Sequence, residues 1–80
     1  MRILIIEDDI DTQAALSDVL RLDKHEVETA GTLREALDRG NWSSISAVLM
    51  DRKLPDGDVD SVLPRIRELA PRAAIIVMTA

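Results

Sequence analysis

The feature that most constrains this chain is a regular alternation of two hydrophobic periods along its whole length. Four short runs, Arg2 to Ile6 (RILII), Glu26 to Ala30 (EVETA), Ile45 to Met50 (ISAVLM) and Ala73 to Met78 (AAIIVM), read as strands. The first, third and fourth are nearly continuous in apolar residues, as suits strands covered on both faces. The second alternates polar and apolar residues, as suits a half-exposed strand at a sheet edge. Between them lie three segments with helical spacing. Ile10 to Leu22 carries Ile10, Ala14, Ala15, Leu16, Val19, Leu20 and Leu22, with Asp9 or Asp11 available as N-cap. A second helix is bounded by Thr32 and Glu35, which can satisfy the free donors of its first turn, and by Gly40 as a left-handed stop. A third carries Val62, Leu63, Ile66, Leu69 and Ala70. Pro64 has no N–H and is tolerated best in a first turn, so Asp60 or Ser61 is the expected cap, and Pro71 ends the helix. A strand–helix alternation of this kind implies parallel strands joined by right-handed crossovers, hence an α/β fold.

Eighty residues suffice for one small domain with a marginal core. Zero cysteines exclude a disulfide framework and a thiolate zinc site, and no apolar run approaches the roughly 20 residues that cross a bilayer. Met1-Arg2 leads directly into a strand rather than a signal peptide, so a soluble protein of the reducing cytoplasm is expected. The net charge is −5, the ten basic residues are scattered among acids, and Trp42 is the lone aromatic. Neither phosphate steering nor base stacking is supported, which argues against direct nucleic-acid binding, and nothing points to a membrane.

The chemistry lies in the acids. Ligand groups in an open parallel sheet gather outside the carboxyl ends of the strands. The first strand runs into Glu7-Asp8-Asp9, the third into Asp51 and the fourth into Thr79. If strands one, three and four are neighbours, two or three carboxylates and a hydroxyl share one cleft. Their mutual repulsion is relieved by a hard cation such as Mg²⁺, leaving one carboxylate free as a nucleophile toward a phosphoryl group. Any one of these acids alone is more simply read as a helix cap or a loop charge, since acids are common at helix N-termini. Their joint occurrence at successive strand ends favours the site.

ILIIEDD, VLMDRKLPDGD and IIVMTA, in this order and spacing, closely resemble the receiver domain of two-component response regulators, and the resemblance covers the whole chain. It implies a CheY-like, flavodoxin-like sheet with strand order 2-1-3-4 and three helices. It implies further that Asp51 accepts a phosphoryl group from the phosphohistidine of a histidine kinase. Asp8 would ligate Mg²⁺ directly, Glu7 largely through water, and Asp51 and the carbonyl of Lys53 would complete the ligands. Thr79 would be the switch hydroxyl, beside a small Ala80.

There are departures. A receiver of this family continues through a fourth helix, a fifth strand bearing an essential Lys and a fifth helix, about 40 further residues. Neither Lys24 nor Lys53 can stand for that Lys, so the chain reads as the N-terminal two-thirds of a receiver. Val59 stands where the family usually has Gly, and Arg52 and Lys53 add charge directly after the acceptor, most simply as solvated loop residues. A rival reading is a fragment unable to be phosphorylated that acts through self-association, as a homodimer or with exchanged segments. A mononucleotide binder is disfavoured because no Gly-rich loop follows the first strand. Phosphatases with an aspartyl nucleophile usually carry a second Asp two positions later, where this chain has Lys53. His25 and Trp42 are read as loop-packing residues, and Met50 and Met78 as core.

Overall fold

The computed structural model describes residues 1–78. Its elements in chain order are β1 (Arg2–Ile6), α1 (Ile10–Leu22), β2 (Glu26–Ala30), α2 (Leu33–Asp38), a 3₁₀ turn (Trp42–Ser44), β3 (Ala47–Asp51), β4 (Lys53–Leu54), β5 (Gly57–Asp58), α3 (Val59–Leu69) and β6 (Ala74–Met78). The main sheet is parallel with order β2-β1-β3-β6, so the fourth expected strand, β6, lies outermost next to β3. β1 and β3 fill the centre and β2 the opposite edge.

The pleat divides the apolar residues of β1 between two layers. Leu4 and Ile6 join Val48, Met50 and the inward residues of α2 and α3, among them Leu33, Ala36, Val62 and Ile66, in the larger core. Ile3 and Ile5 face the other way with Ala47 and are buried there, packed against Leu16 and Leu20 of α1, which are themselves only partly buried. The α1 stripe is therefore only partly used. Leu16 and Leu20 pack inward, whereas Ala15, Val19 and Leu22 stay exposed, Leu22 at 84%.

The caps follow local chemistry. Asp9 accepts the Thr12 N–H at 3.0 Å and starts α1. Thr32 Oγ1 accepts the Glu35 N–H at 3.0 Å, while Glu35 Oε2 reaches back to the Gly31 N–H, also at 3.0 Å. Gly40 takes the positive φ of +74° that ends this segment.

Three boundaries differ from expectation. β3 begins at Ala47, because the residues from Trp42 form a 3₁₀ turn that buries Trp42 and Ile45 before the strand starts. β6 begins at Ala74, one residue late. More instructive is α3, whose N-cap is Asp58 and which therefore contains Pro64 in its interior, so Asp60 and Ser61 are not caps. Burial of both Val59 and Val62 draws the helix start upstream. Pro64 and Asp60 are both exposed, so the proline sits on the solvent side of the helix, where the Asp60 carbonyl loses its helical donor. Ser61 Oγ instead donates to the Asp58 carbonyl at 2.8 Å.

One element was not expected. Lys53 to Asp58 forms a small antiparallel hairpin, with Lys53 opposite Asp58 and Leu54 opposite Gly57 around Pro55-Asp56.

Candidate functional site

The site is built by strand register. Ile6 pairs with Met50, so the next residue of each chain segment, Glu7 and Asp51, emerges side by side at the carboxyl edge. Asp8 follows directly, and carboxylate oxygens of Glu7, Asp8 and Asp51 all lie within 4.8 Å of one another. Asp8 is exposed, Asp51 half-buried and Glu7 only 6% exposed.

Glu7 is held from three directions. Its N–H donates to the Ala30 carbonyl at 2.9 Å, its carbonyl accepts from Gln13 Nε2 at 3.0 Å, and its Oε1 accepts the Asp9 N–H at 3.1 Å. Burial pushes its carboxyl above the ordinary range, and the neighbouring carboxylates of Asp51 and Asp8 push the same way, against the Asp9 N–H. Asp51 Oδ1 accepts the Lys53 N–H at 3.2 Å. Asp9 is occupied elsewhere, since its carboxylate takes the Thr12 N–H and hydroxyl, and these bonds hold it below the usual range.

Of the residues singled out from sequence, Glu7, Asp8 and Asp51 come together, and Lys53 adjoins them through its backbone while its side chain is exposed. Thr79 and Ala80 lie outside the described residues. His25 and Trp42 are remote from the acids. Trp42 is buried at the other end of β3, beneath the Arg39 guanidinium at 5.7 Å from the ring centroid, and borders an apolar cavity of about 160 Å³ with Ile45, Leu69 and Pro71.

Gln13 was missed by the sequence reading. The signal was present: Gln13 and Ser17, one helical turn apart, are polar on the inward face of α1, and Ser17 Oγ donates to the Gln13 carbonyl at 2.8 Å.

Clustered oxygen donors with one buried member fit a hard divalent cation, which prefers carboxylate, carbonyl and water ligands. The cation would offset both the burial of the Glu7 charge and the repulsion from its neighbours, which together raise Glu7.

Comparison with known proteins gives the class. Residues 3–80 match the family model of the response regulator receiver domain, and the chain belongs to that family. It is 33% identical over 79 residues to the response regulator protein FleR of Pseudomonas aeruginosa, a match covering 99% of this chain and 17% of FleR. The non-phosphorylated HemR receiver domain of Leptospira biflexa superposes with a TM-score of 0.90 at 32% identity, covering 99% of this chain and 64% of that one. The response regulator TrrA of Thermotoga maritima, solved in complex with Mg²⁺ and beryllofluoride, gives 0.87 at 29% identity, covering 99% and 69%. The architecture is the CheY-like, flavodoxin-like receiver fold. The chain thus spans less than two thirds of the HemR chain and a small part of FleR.

Proposed function

We propose that this chain is a phosphoacceptor module in which Asp51 takes a phosphoryl group from a histidine kinase in the cytoplasm, with Mg²⁺ held by Glu7, Asp8, Asp51 and the Lys53 carbonyl. The observation that carries the reading is the convergence of three carboxylates from the ends of β1 and β3 on one point at the sheet edge. When bound, Mg²⁺ would neutralise charge on the phosphoryl oxygens. In the transfer, an Asp51 carboxylate oxygen attacks phosphorus, a P–O bond forms, the P–N bond of the phosphohistidine breaks and its electron pair returns to the imidazole. Asp51 suits this role because it is half-buried, open to an incoming donor and steadied by the Lys53 N–H. Glu7 is too enclosed to be the nucleophile, and Asp9 is committed to its cap. Hydrolysis of the acyl phosphate by water closes the cycle. Thr79 is assigned the switch hydroxyl on the family pattern alone.

The test is mass spectrometry after treatment with acetyl phosphate. One phosphoryl group added to wild type in the presence of Mg²⁺, and none to Asp51→Asn, supports the reading; modification that persists in Asp51→Asn overturns it.

A second reading, self-association through the β6 edge in a homodimer, is favoured by the exposure of Ile76 and Val77 on a strand with no charge. It is compatible with phosphorylation and is tested separately.

A further inference from the structure

α2 has only six residues, too few to be stable without help, and its first turn carries free N–H donors. Thr32 satisfies the Glu35 N–H locally. The Leu33 and Arg34 N–H groups are served from far along the chain: Asp56 Oδ1 accepts from Leu33 and Oδ2 from Arg34, each at 2.9 Å. Both oxygens of one carboxylate are thus used on one helix end, and these two bonds hold Asp56 below the ordinary carboxylate range.

Asp56 sits at the tip of the β4–β5 hairpin, and the base of that hairpin is the acceptor site. Lys53, the first residue of β4, donates its N–H to Asp51, and the flanking Arg52 carbonyl accepts the Val59 N–H at 3.0 Å. The ladder between base and tip is continuous, Lys53 opposite Asp58 and Leu54 opposite Gly57. The hairpin also lies tight against α2. Leu54 and Leu33 share the larger core, and a Cβ at Gly57, whose φ is +151°, would stand 3.2 Å from Leu33 Cδ1. The loop is therefore fastened at one end to Asp51 and at the other to α2.

We propose that Asp56 is a positioning residue for the acceptor site: by fastening the hairpin tip to the first turn of α2 it holds the Lys53 backbone against Asp51. The inference rests on the phosphoacceptor reading and extends it, making the placement of α2 part of the acceptor geometry. Asp56 touches neither the phosphoryl group nor the cation and acts through the hairpin.

The experiment compares Asp56→Ala, Asp56→Asn and Thr32→Ala in the full 80-residue chain. Two readouts are taken: binding of Mg²⁺ with beryllofluoride, and hydrogen exchange of the Lys53 amide without ligand. Thr32→Ala removes the local cap of the same helix, so it reports what weakening α2 does by itself. Asp56→Ala is expected to weaken beryllofluoride binding about tenfold and speed Lys53 exchange by a similar factor, because two charge-assisted bonds are lost. Asp56→Asn retains one acceptor oxygen and is expected to recover to within about threefold of wild type, and Thr32→Ala to stay within about twofold in both readouts. Equal losses in Asp56→Ala and Thr32→Ala, or wild-type behaviour of Asp56→Ala, overturn the positioning role while leaving the acceptor reading intact. Failure of the wild type to bind beryllofluoride overturns the acceptor reading, and the positioning role with it.

Discussion

Glu7 and Asp51 stand side by side across the β1–β3 ladder because Ile6 pairs with Met50, and one of the two carboxyls is buried while the other is open. That asymmetry separates two kinds of acid at one edge: a buried charge in need of neutralisation and an accessible oxygen able to react. Asp8 completes the group and Asp9, its neighbour in sequence, does not.

The contrast between Asp8 and Asp9 yields the first prediction. Asp8→Asn removes a charged oxygen from the cluster and is expected to weaken Mg²⁺ binding at least about tenfold. Asp9→Asn keeps a capping oxygen for the Thr12 N–H and is expected to bind as wild type does. Amide shifts under Mg²⁺ titration are the measurement. Trp42 lies at the other end of β3 and is a poor reporter of this site. Equal loss in the two variants would sink the assignment.

Glu7 carries the second prediction. Its folded titration lies above the ordinary value, mainly through burial. The folded state therefore holds its proton more tightly than the unfolded chain does, and stability is lost as pH rises through the ordinary carboxylate range toward the raised value. Glu7→Gln keeps an acceptor for the Asp9 N–H and removes the charge. The variant is expected to melt above wild type near pH 7 without divalent cations, with the gain gone below about pH 4, where both forms are neutral. Saturating Mg²⁺ is expected to reverse the order by stabilising only the wild type. Thermal melts at the two pH values, with and without Mg²⁺, check all three statements.

Pro64 supplies a third. Within α3 it denies the Asp60 carbonyl a helical donor and crowds the preceding turn. Pro64→Ala restores the N–H at an exposed position and is expected to stabilise the fold by about 1–3 kcal/mol, read from urea midpoints. A loss of stability would mean that Pro64 rigidifies the unfolded chain more than it strains the helix.

Strands, helices and their order were legible because β1, β3 and β6 differ in period from α1 and α3, and a period is a local property of the sequence. The acids at the carboxyl edge were legible for a related reason: parallel topology turns the last residues of separate strands into neighbours. The α3 start was not legible, because the local rule for Pro64 was overridden by burial of Val59 in a core assembled from residues far apart in the chain. The hairpin after Asp51 and the clamp from Asp56 to α2 were hidden likewise, since bonds spanning 22 and 23 residues leave no periodic trace. Thr79, the remaining residue of the expected site, lies beyond the described part of the chain.

The two sheet edges differ in a way that predicts association. At the β2 edge, Glu26 and Glu28 pair with Arg2, and Glu28 also pairs with Arg39, so charge discourages another strand from adding there. Among the described residues, β6 carries no charged side chain. Its residues Ala74 to Met78 are apolar throughout, and Ile76 and Val77 are 51% and 38% exposed. Ile10, Val19 and Leu22 add further apolar surface on α1. Burying a few hundred Å² of such surface at about 25 cal/mol per Å² is worth several kcal/mol before association costs, comparable with the stability of a small domain. A two-fold pairing of β6 with β6 is the simplest closed arrangement, since it lets the same edge satisfy itself. Sedimentation of the 80-residue chain over a concentration series is expected to show dimers at micromolar concentration. Ile76→Lys, which places a charge on that strand, is expected to shift the midpoint at least about tenfold toward monomer, while Leu22→Lys on α1 shifts it less. A wild type that stays monomeric at high micromolar concentration, or an Ile76→Lys variant that associates as tightly as wild type, would show that β6 is not the contact.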